Sequence, residues 1–338
     1  MKNLTIIGHY CATGGISIHI RRLTKLLEKN FNIQLIDESR LEDYDSITFN
    51  LRNKDILGYL KIIRKSNFIH IHSSVPILRF VHVLIGRLFF KKVILTVHSL
   101  STVKTTHGLF FLKFTAIISN RVIVVSEELK KKIKLRKCIV IPAFIPPIIE
   151  DEDDLPEDLK LLISDKKNQN KKLVVSNAYR LNIHNNQDLY GLDLIIDSAQ
   201  KTKDENLNIF FLFVLTTLEV NENLFLEYQE RIKLNKLENY IHIHTKSISF
   251  IRLIMESDLV IRATNTDGDA ITIREAIYLG KNVIASNIVK RPNKTVLFKN
   301  RNSDDLFLKI KESLNTDGTP WIRLKEDFEQ IYLNVFLK

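Results

Sequence analysis

Along the first half of the chain, short apolar runs alternate with stretches of helical period. Residues 4–8, LTIIG, read as a strand, and 16–29 as a helix with Ile18, Leu23, Leu26 and Leu27 on its apolar side. Further strands are expected at 31–37, 68–74, 91–99, 121–126 and 137–143, and further helices at 56–64 and 127–133. Pro146, Pro147 and the acidic run 150–158 break the rhythm and read as a connection. A second set then begins, with strands at 171–180, 209–215, 240–246, 259–264 and 282–286. Helices are expected between them at 192–202, 225–235 and 249–258. A last helix over about 320–337 carries Trp321, Leu324, Phe328, Ile331, Tyr332 and Phe336 at helical spacing. Strands alternating with helices imply an α/β protein built on doubly wound parallel sheets.

Size and composition fit that reading. A chain of 338 residues is long enough for two ordinary domains, and 45% apolar with 26% charged residues is the balance of a folded globule. Two cysteines far apart, Cys11 and Cys138, give neither a disulfide framework nor zinc-ligand spacing, and suit a reducing cytoplasmic setting. The apolar run near the N-terminus is too short for a signal peptide. Runs such as VHVLIGRLFFKKVIL are cut by Arg87, Lys91 and Lys92, so no membrane span is expected. Charge is uneven: residues 1–140 hold 24 Lys/Arg against 9 Asp/Glu, whereas residues 141–338 hold 26 against 30. The basic half therefore faces something anionic, either nucleic acid or an anionic membrane surface bearing a lipid-linked acceptor. No helix-turn-helix, zinc or RNA-recognition signature supports nucleic acid.

The segment from Arg262 to Ser286, RATNTDGDAITIREAIYLGKNVIAS, is the richest in chemistry. Thr264 to Asp269 suit a polar turn, Asp269 an N-cap, and Gly280 a helix stop. The amides of such a turn and the positive end of the helix dipole bind a phosphate or sugar hydroxyl without a metal. Glu275 lies just over one turn into the helix and leans back toward the same place.

This segment resembles the nucleotide-sugar site of retaining GT-B glycosyltransferases of family four. Their pattern is an acid, seven residues, a Glu, then a run like ala-x-gly-x-pro-val-ile-ala. Here Asp267, seven residues, Glu275 and AIYLGKNVIAS stand in those places, with Asp where Glu is commoner. The resemblance implies that Glu275 holds the ribose hydroxyls and Asp267 the donor sugar, with Gly268, Asp269, Ala270, Ile271 and Thr272 offering the helix start. It implies a GT-B fold of two Rossmann-like domains across a cleft, with a C-terminal helix crossing back. The expected limits are 1–148 for an acceptor-side domain, 149–170 for a linker, 171–318 for the nucleotide-sugar domain and 319–338 for the returning helix.

Other residues match the family at strand ends. Gly14 and Gly15, between the first strand and first helix, resemble its glycine pair facing the donor. They lack the G-x-G-x-x-G spacing of dinucleotide sites. Thr96-Val97-His98 resembles its thr-x-his, whose imidazole sits near the anomeric carbon. Arg180 resembles the Arg that clamps the donor diphosphate, a task suited to a bidentate cation. The family's lys-gly-leu-asp is here Tyr190-Gly191-Leu192-Asp193, so its lysine is missing and another cation such as Lys246 is needed. Its asn-gly after the last strand of the first domain is replaced by Ala143, Phe144 and Ile145.

His70 with His72, and His242 with His244, alternate like metal-ligand pairs, yet the sequence offers no third ligand, so no metal site is expected. No metal and no cofactor are expected beyond the nucleoside-diphosphate sugar co-substrate. The resemblance implies retaining hexosyl transfer, UDP favoured, to a glycan or lipid-linked glycan acceptor in bacterial surface polysaccharide or lipopolysaccharide assembly. The expected location is cytoplasmic or peripheral at the inner membrane. Cations interleaved with aromatics from 99 to 119 fit a membrane face or an ordinary buried helix. The alternative function is a sugar-nucleotide-binding or membrane-docking protein of the same fold without transfer activity.

Overall fold

The computed structural model describes all residues except 13, 40–47, 99–105, 220, 267–269, 316–326 and 338, together with the side chains of 106 and 107. It divides into two compact units: Met1–Ile145 with Glu326–Lys338, and Pro146–Lys325.

In chain order the first unit holds β1 (Lys2–Gly8), α1 (Gly15–Leu27), β2 (Phe31–Asp37), β3 (Thr48–Asn50), α2 (Ile56–Lys65) and β4 (Phe68–Ile71). It continues with α3 (Pro76–Leu88), β5 (Lys92–Val97), α4 (Thr106–Ile118), β6 (Arg121–Val124), α5 (Glu127–Ile133) and β7 (Cys138–Val140). The strands form one sheet in the order β3-β2-β1-β4-β5-β6-β7, every neighbour pair parallel. Ile7, Ile71, Leu95 and Val124 pack on one face, and Leu4, Ile6, Ile94 and Ile123 on the other. Continuous apolar strands are what a sheet covered on both faces requires.

The second unit holds α6 (Glu157–Asn168), β8 (Lys172–Ala178), β9 (Ile183–His184), β10 (Gln187–Asp188), α7 (Leu192–Asp204), β11 (Ile209–Leu215) and α8 (Glu222–Leu234). There follow β12 (Ile241–His244), α9 (Phe250–Glu256), β13 (Leu259–Arg262), α10 (Ile271–Tyr278), β14 (Asn282–Ser286), β15 (Val296–Phe298) and α11 (Ser303–Asn315). Its main sheet runs β12-β11-β8-β13-β14-β15, again parallel throughout, and β9 and β10 form a small antiparallel pair. All seven residues of β11, IFFLFVL, are buried.

The final helix, α12 (Phe328–Leu337), belongs to the first unit. Tyr332, Val335 and Phe336 pack into the core beside β1 and α1, and the Lys92 ammonium donates to the Phe336 carbonyl at 2.8 Å. Trp321 and Leu324 lie outside the described residues.

β3, β9, β10, β15 and α11 were not expected, and two further stretches differ from the sequence reading. Within 149–170, expected as a linker, residues 157–168 form α6, whose Leu159 and Ile163 enter the core of the second unit. Leu155, Leu159 and Ile163 recur at intervals of four and supply a buried stripe that the flanking acids obscure. Residues 76–88 form α3, which was not expected. Its polar Arg79 and His82 are buried, while Ile77, Val81, Leu84 and Leu88 are exposed. That inverted pattern defeats an amphipathic reading.

Gly191, at the start of α7, has φ +73, and a Cβ there would lie 2.5 Å from the Ala263 carbonyl oxygen. Gly14, at the start of α1, has φ +126 with open space around it. Gly191→Ala is therefore expected to lose stability through strain and a clash, and Gly14→Ala through strain alone, about 1–3 kcal/mol for the latter. Urea unfolding of both variants checks the order; equal midpoints would contradict the clash.

Candidate active site

Parallel sheets gather the loops after their strands along one edge, and the order of each sheet reverses at one point. In the first unit β1 is flanked by β2 and β4, so the loops after β1 and β4 open at that reversal. In the second, the loops after β8 and β13 do.

In the first unit Gly14 is the N-cap of α1; among the described residues no side chain caps the helix and its first turn carries no acid, so the positive end of its dipole favours an anion. The loop before it is pinned by Asp37 at the end of β2. Its carboxylate accepts from the amides of Tyr10 at 2.8 Å, Cys11 at 3.3 Å and Ser39 at 3.2 Å. Dinucleotide folds use an acid at that strand end for the ribose; here it is buried and holding amides. Beside it, buried Glu38 pairs with His82 at 3.1 Å, and His82 Nδ1 is 2.8 Å from the Tyr59 hydroxyl. The buried Arg79 guanidinium donates to the Ser73 and Ser74 carbonyls, fixing the loop after β4. No reading of the sequence picked out Asp37, Glu38, His82 or Arg79. Asp37 alone left a signal, as an acid closing a β-strand.

His98 follows β5 and is half-buried. Its Nε2 lies 2.9 Å from Nδ1 of His72, and its ring meets that of His19 edge-on at 4.9 Å. His70 stacks against His72 with ring centres 4.1 Å apart and bonds Thr96 at 2.7 Å. His19 Nδ1 donates to the Ala143 carbonyl at 2.6 Å. Burial pushes the pKa of His19 down to about 4 and of His70 to about 3, and holds those of His72 and His98 well below the ordinary 6.5. His98 is therefore neutral at pH 7, able to donate one hydrogen bond and accept another.

His19, His72 and His98 also bring one ring nitrogen each within 4.8 Å of the others. Two further imidazoles stand beside His72, because α1 and the end of β5 carry distant residues to it. His70, two residues before His72 and on the same side of the strand, turns its Nε2 to Thr96 and is not one of the three.

In the second unit Arg180 follows β8 and is exposed. Asp188 is buried and organises the next turn: it accepts from the amides of Tyr190 at 2.9 Å and Leu192 at 3.0 Å, and from the Tyr228 hydroxyl at 3.1 Å. Burial raises its pKa. Asp193 is engaged by Arg301 through both guanidinium nitrogens. Tyr190, in the place of the family lysine, lies beneath Arg262 at the end of β13, with 5.3 Å from guanidinium to ring centre. A cation thus stands next to the residue that lacks one. Lys246 is exposed after β12, the edge strand, three strands from β13.

The loop after β13 is tied down on both sides. The Asn265 amide donates to the Leu189 carbonyl at 3.0 Å, and the Ser286 hydroxyl donates to the Thr264 carbonyl at 2.6 Å. Asp267, Gly268 and Asp269 lie outside the described residues. α10 starts at Ile271 with Ala270, not Asp269, in the capping position and no side-chain capping bond. Thr272 in its first turn is half-buried and Glu275 is buried on it. Gly280 ends the helix at φ +75, with its amide bonded to the Ile277 carbonyl and that of Lys281 to Ala276, the double bond of a Schellman stop.

No protein-family model and no curated protein matches the chain. Solved structures match over nearly the whole length. Anabaena HepE in complex with UDP superposes with a TM-score of 0.71 at 16% identity, covering 95% of this chain and 92% of that one. A glycosyltransferase from Rickettsia africae gives 0.68 at 18%, covering 99% and 94%. Sucrose-phosphate synthase from Thermosynechococcus elongatus gives 0.64 at 14%, covering 99% and 95%. The fold of the chain is thereby the GT-B fold, as the sequence reading expected.

These four neutral histidines set an acid limit. The unfolded chain takes up protons below pH 6.5 that native His19 and His70 refuse until about 4 and 3, so stability is full above 6.5 and falls as pH drops through that window. Each contributes a loss of up to about 1.4 kcal/mol per pH unit. Thermal unfolding in chelator from pH 8 to 5 should show a midpoint that declines below 6.5; a flat midpoint would contradict their neutral burial.

Proposed function

We propose that the protein is a retaining glycosyltransferase that takes a nucleoside-diphosphate sugar, UDP favoured, and needs no metal. One observation carries the reading. At the reversal of the second sheet, Arg180, the Gly191 turn with Tyr190 and Arg262, and the open start of α10 with Glu275 all lie on the loops and strand ends of β8 and β13. That is a cation pair, a tight glycine turn, a helix start and a buried carboxylate, the complement of a diphosphate and a ribose. The UDP-bound state of HepE favours uridine.

In this reading Glu275 accepts from the ribose hydroxyls. Arg180, Arg262 and the amides at Ala270 to Thr272 neutralise the diphosphate as the bond from the anomeric carbon to its oxygen breaks. Asp267, with the Gly268–Asp269 turn, holds the sugar, as do neutral His98 and the Gly14–Gly15 turn. The acceptor oxygen attacks the face that the diphosphate leaves, and its proton passes to the departing phosphate oxygen. Arg262 takes over the part of the absent lysine that Lys246 was expected to fill.

A panel of UDP, GDP, dTDP, CMP and ADP in a thermal-shift experiment, with and without chelator, tests the donor site. One diphosphate should stabilise by about 2.7 kcal/mol at a hundredfold excess over its Kd, unchanged by chelator. Glu275→Gln should weaken it about tenfold or more, and Arg180→Ala should narrow the gap between UDP and uridine. Stabilisation that requires magnesium, or that Glu275→Gln leaves untouched, would overturn the assignment.

The acceptor is proposed to be a glycan or lipid-linked glycan of bacterial surface polysaccharide or lipopolysaccharide, met at an anionic cytoplasmic membrane face. α3 and α4 pack together through Phe80, Phe111 and Phe114. Around them Leu88, Phe90, Phe110 and Ile117 are exposed, Phe90 by 95%. α4 does bury Leu112 and Ala116, so it serves the core as well. Among the described residues no helix is long and apolar enough to cross a membrane, which leaves surface association as the mode. Flotation with vesicles containing phosphatidylglycerol should carry the protein upward, and Phe90→Asp with Phe110→Asp should abolish this. Equal flotation with neutral vesicles would contradict it.

A further inference from the structure

His19 from α1, His72 after β4 and His98 after β5 meet inside the first unit, one ring nitrogen of each within 4.8 Å of the others. His72 Nδ1 and His98 Nε2 are already 2.9 Å apart. Tetrahedral zinc with bonds of about 2.0–2.1 Å sets nitrogens at about 3.3 Å, a side-chain adjustment on the order of an ångström.

One further observation favours a ligand set over a merely packed cluster. His19 donates from Nδ1 to the Ala143 carbonyl at 2.6 Å, the kind of outer bond that orients metal-bound histidines. Among the described residues its Nε2 meets the Tyr332 hydroxyl at 3.5 Å.

We propose that His19, His72 and His98 bind one borderline divalent transition-metal ion, zinc in the first instance, and that the bound ion inhibits sugar transfer by occupying His98. The inhibitory half rests on the glycosyltransferase reading; the binding half does not. Three neutral imidazoles favour zinc over magnesium or calcium, which take oxygen ligands. A water would serve as the fourth ligand of a tetrahedral site. Binding expels no proton: each ring keeps one N–H, on the nitrogen turned away from the ion. The cluster is thus an inhibitory site, consistent with catalysis that requires no metal.

Full-length protein stripped with chelator is titrated with zinc chloride by calorimetry, and with cobalt(II) by visible absorption. One equivalent should bind, cobalt giving the intense visible bands of a four-coordinate site that zinc then displaces. His98→Ala should weaken zinc at least about tenfold, whereas His242→Ala, from the exposed position of the other alternating pair, should not. Absence of stoichiometric binding by the unmodified protein, or binding that survives both His98→Ala and His72→Ala, overturns the site. Octahedral cobalt spectra overturn it also, and serve as the readout if His72→Ala does not fold. Donor turnover, or donor hydrolysis, should fall as zinc fills the site and recover in chelator. Stoichiometric zinc binding that leaves turnover unchanged overturns the inhibitory half alone, and a chain that binds zinc but no nucleotide refutes the transferase reading instead.

Discussion

Parallel pairing of strands is the constraint on which the rest of the structure depends. Both main sheets are parallel throughout and covered on both faces, so their central strands are apolar runs and every loop after a strand opens on one edge. The interior leaves almost no room for chemistry. Polar groups are pushed to strand ends, where Asp37, His72, His98, Arg180 and Arg262 stand at or just past the last strand residue. Buried polar groups near those ends are mostly paired with backbone, as Asp37 and Asp188 are with amides and Arg79 with carbonyls. These bonds hold the loops in shape before any ligand arrives.

Where apolar period and turn chemistry agreed, the sequence was legible to the residue. β2, β11, β14 and α5 begin and end where the pattern puts them, and Gly280 stops α10 as a glycine after a helix should. Elements whose burial contradicts their chemistry were hidden. α3 turns Arg79 and His82 inward and Ile77 and Leu88 outward, and α6 hides its buried stripe among acids. Short strands such as β3, at the edge of the first sheet, carry too few residues for any period to show.

The candidate site was legible residue by residue but not as a constellation. Glu275 on its helix and His98 at its strand end could be named from motif and position. The partners could not, because they arrive from elsewhere in the chain: His19 and His72 beside His98, Arg262 over Tyr190, Arg301 on Asp193. Only strand order brings such residues together. The absent lysine illustrates the point. One substitution reads as a loss along the sequence, yet a guanidinium from the neighbouring strand stands beside it in the fold.

Photo-crosslinking with an azido-substituted UDP-sugar, followed by peptide mapping, tests the central claim most directly. The account predicts label competed by UDP and confined to the loops at 178–192 and 262–280 of the second unit and to the Gly14–Gly15 turn and His98 of the first. Label elsewhere in the chain, or label that UDP does not displace, would contradict it.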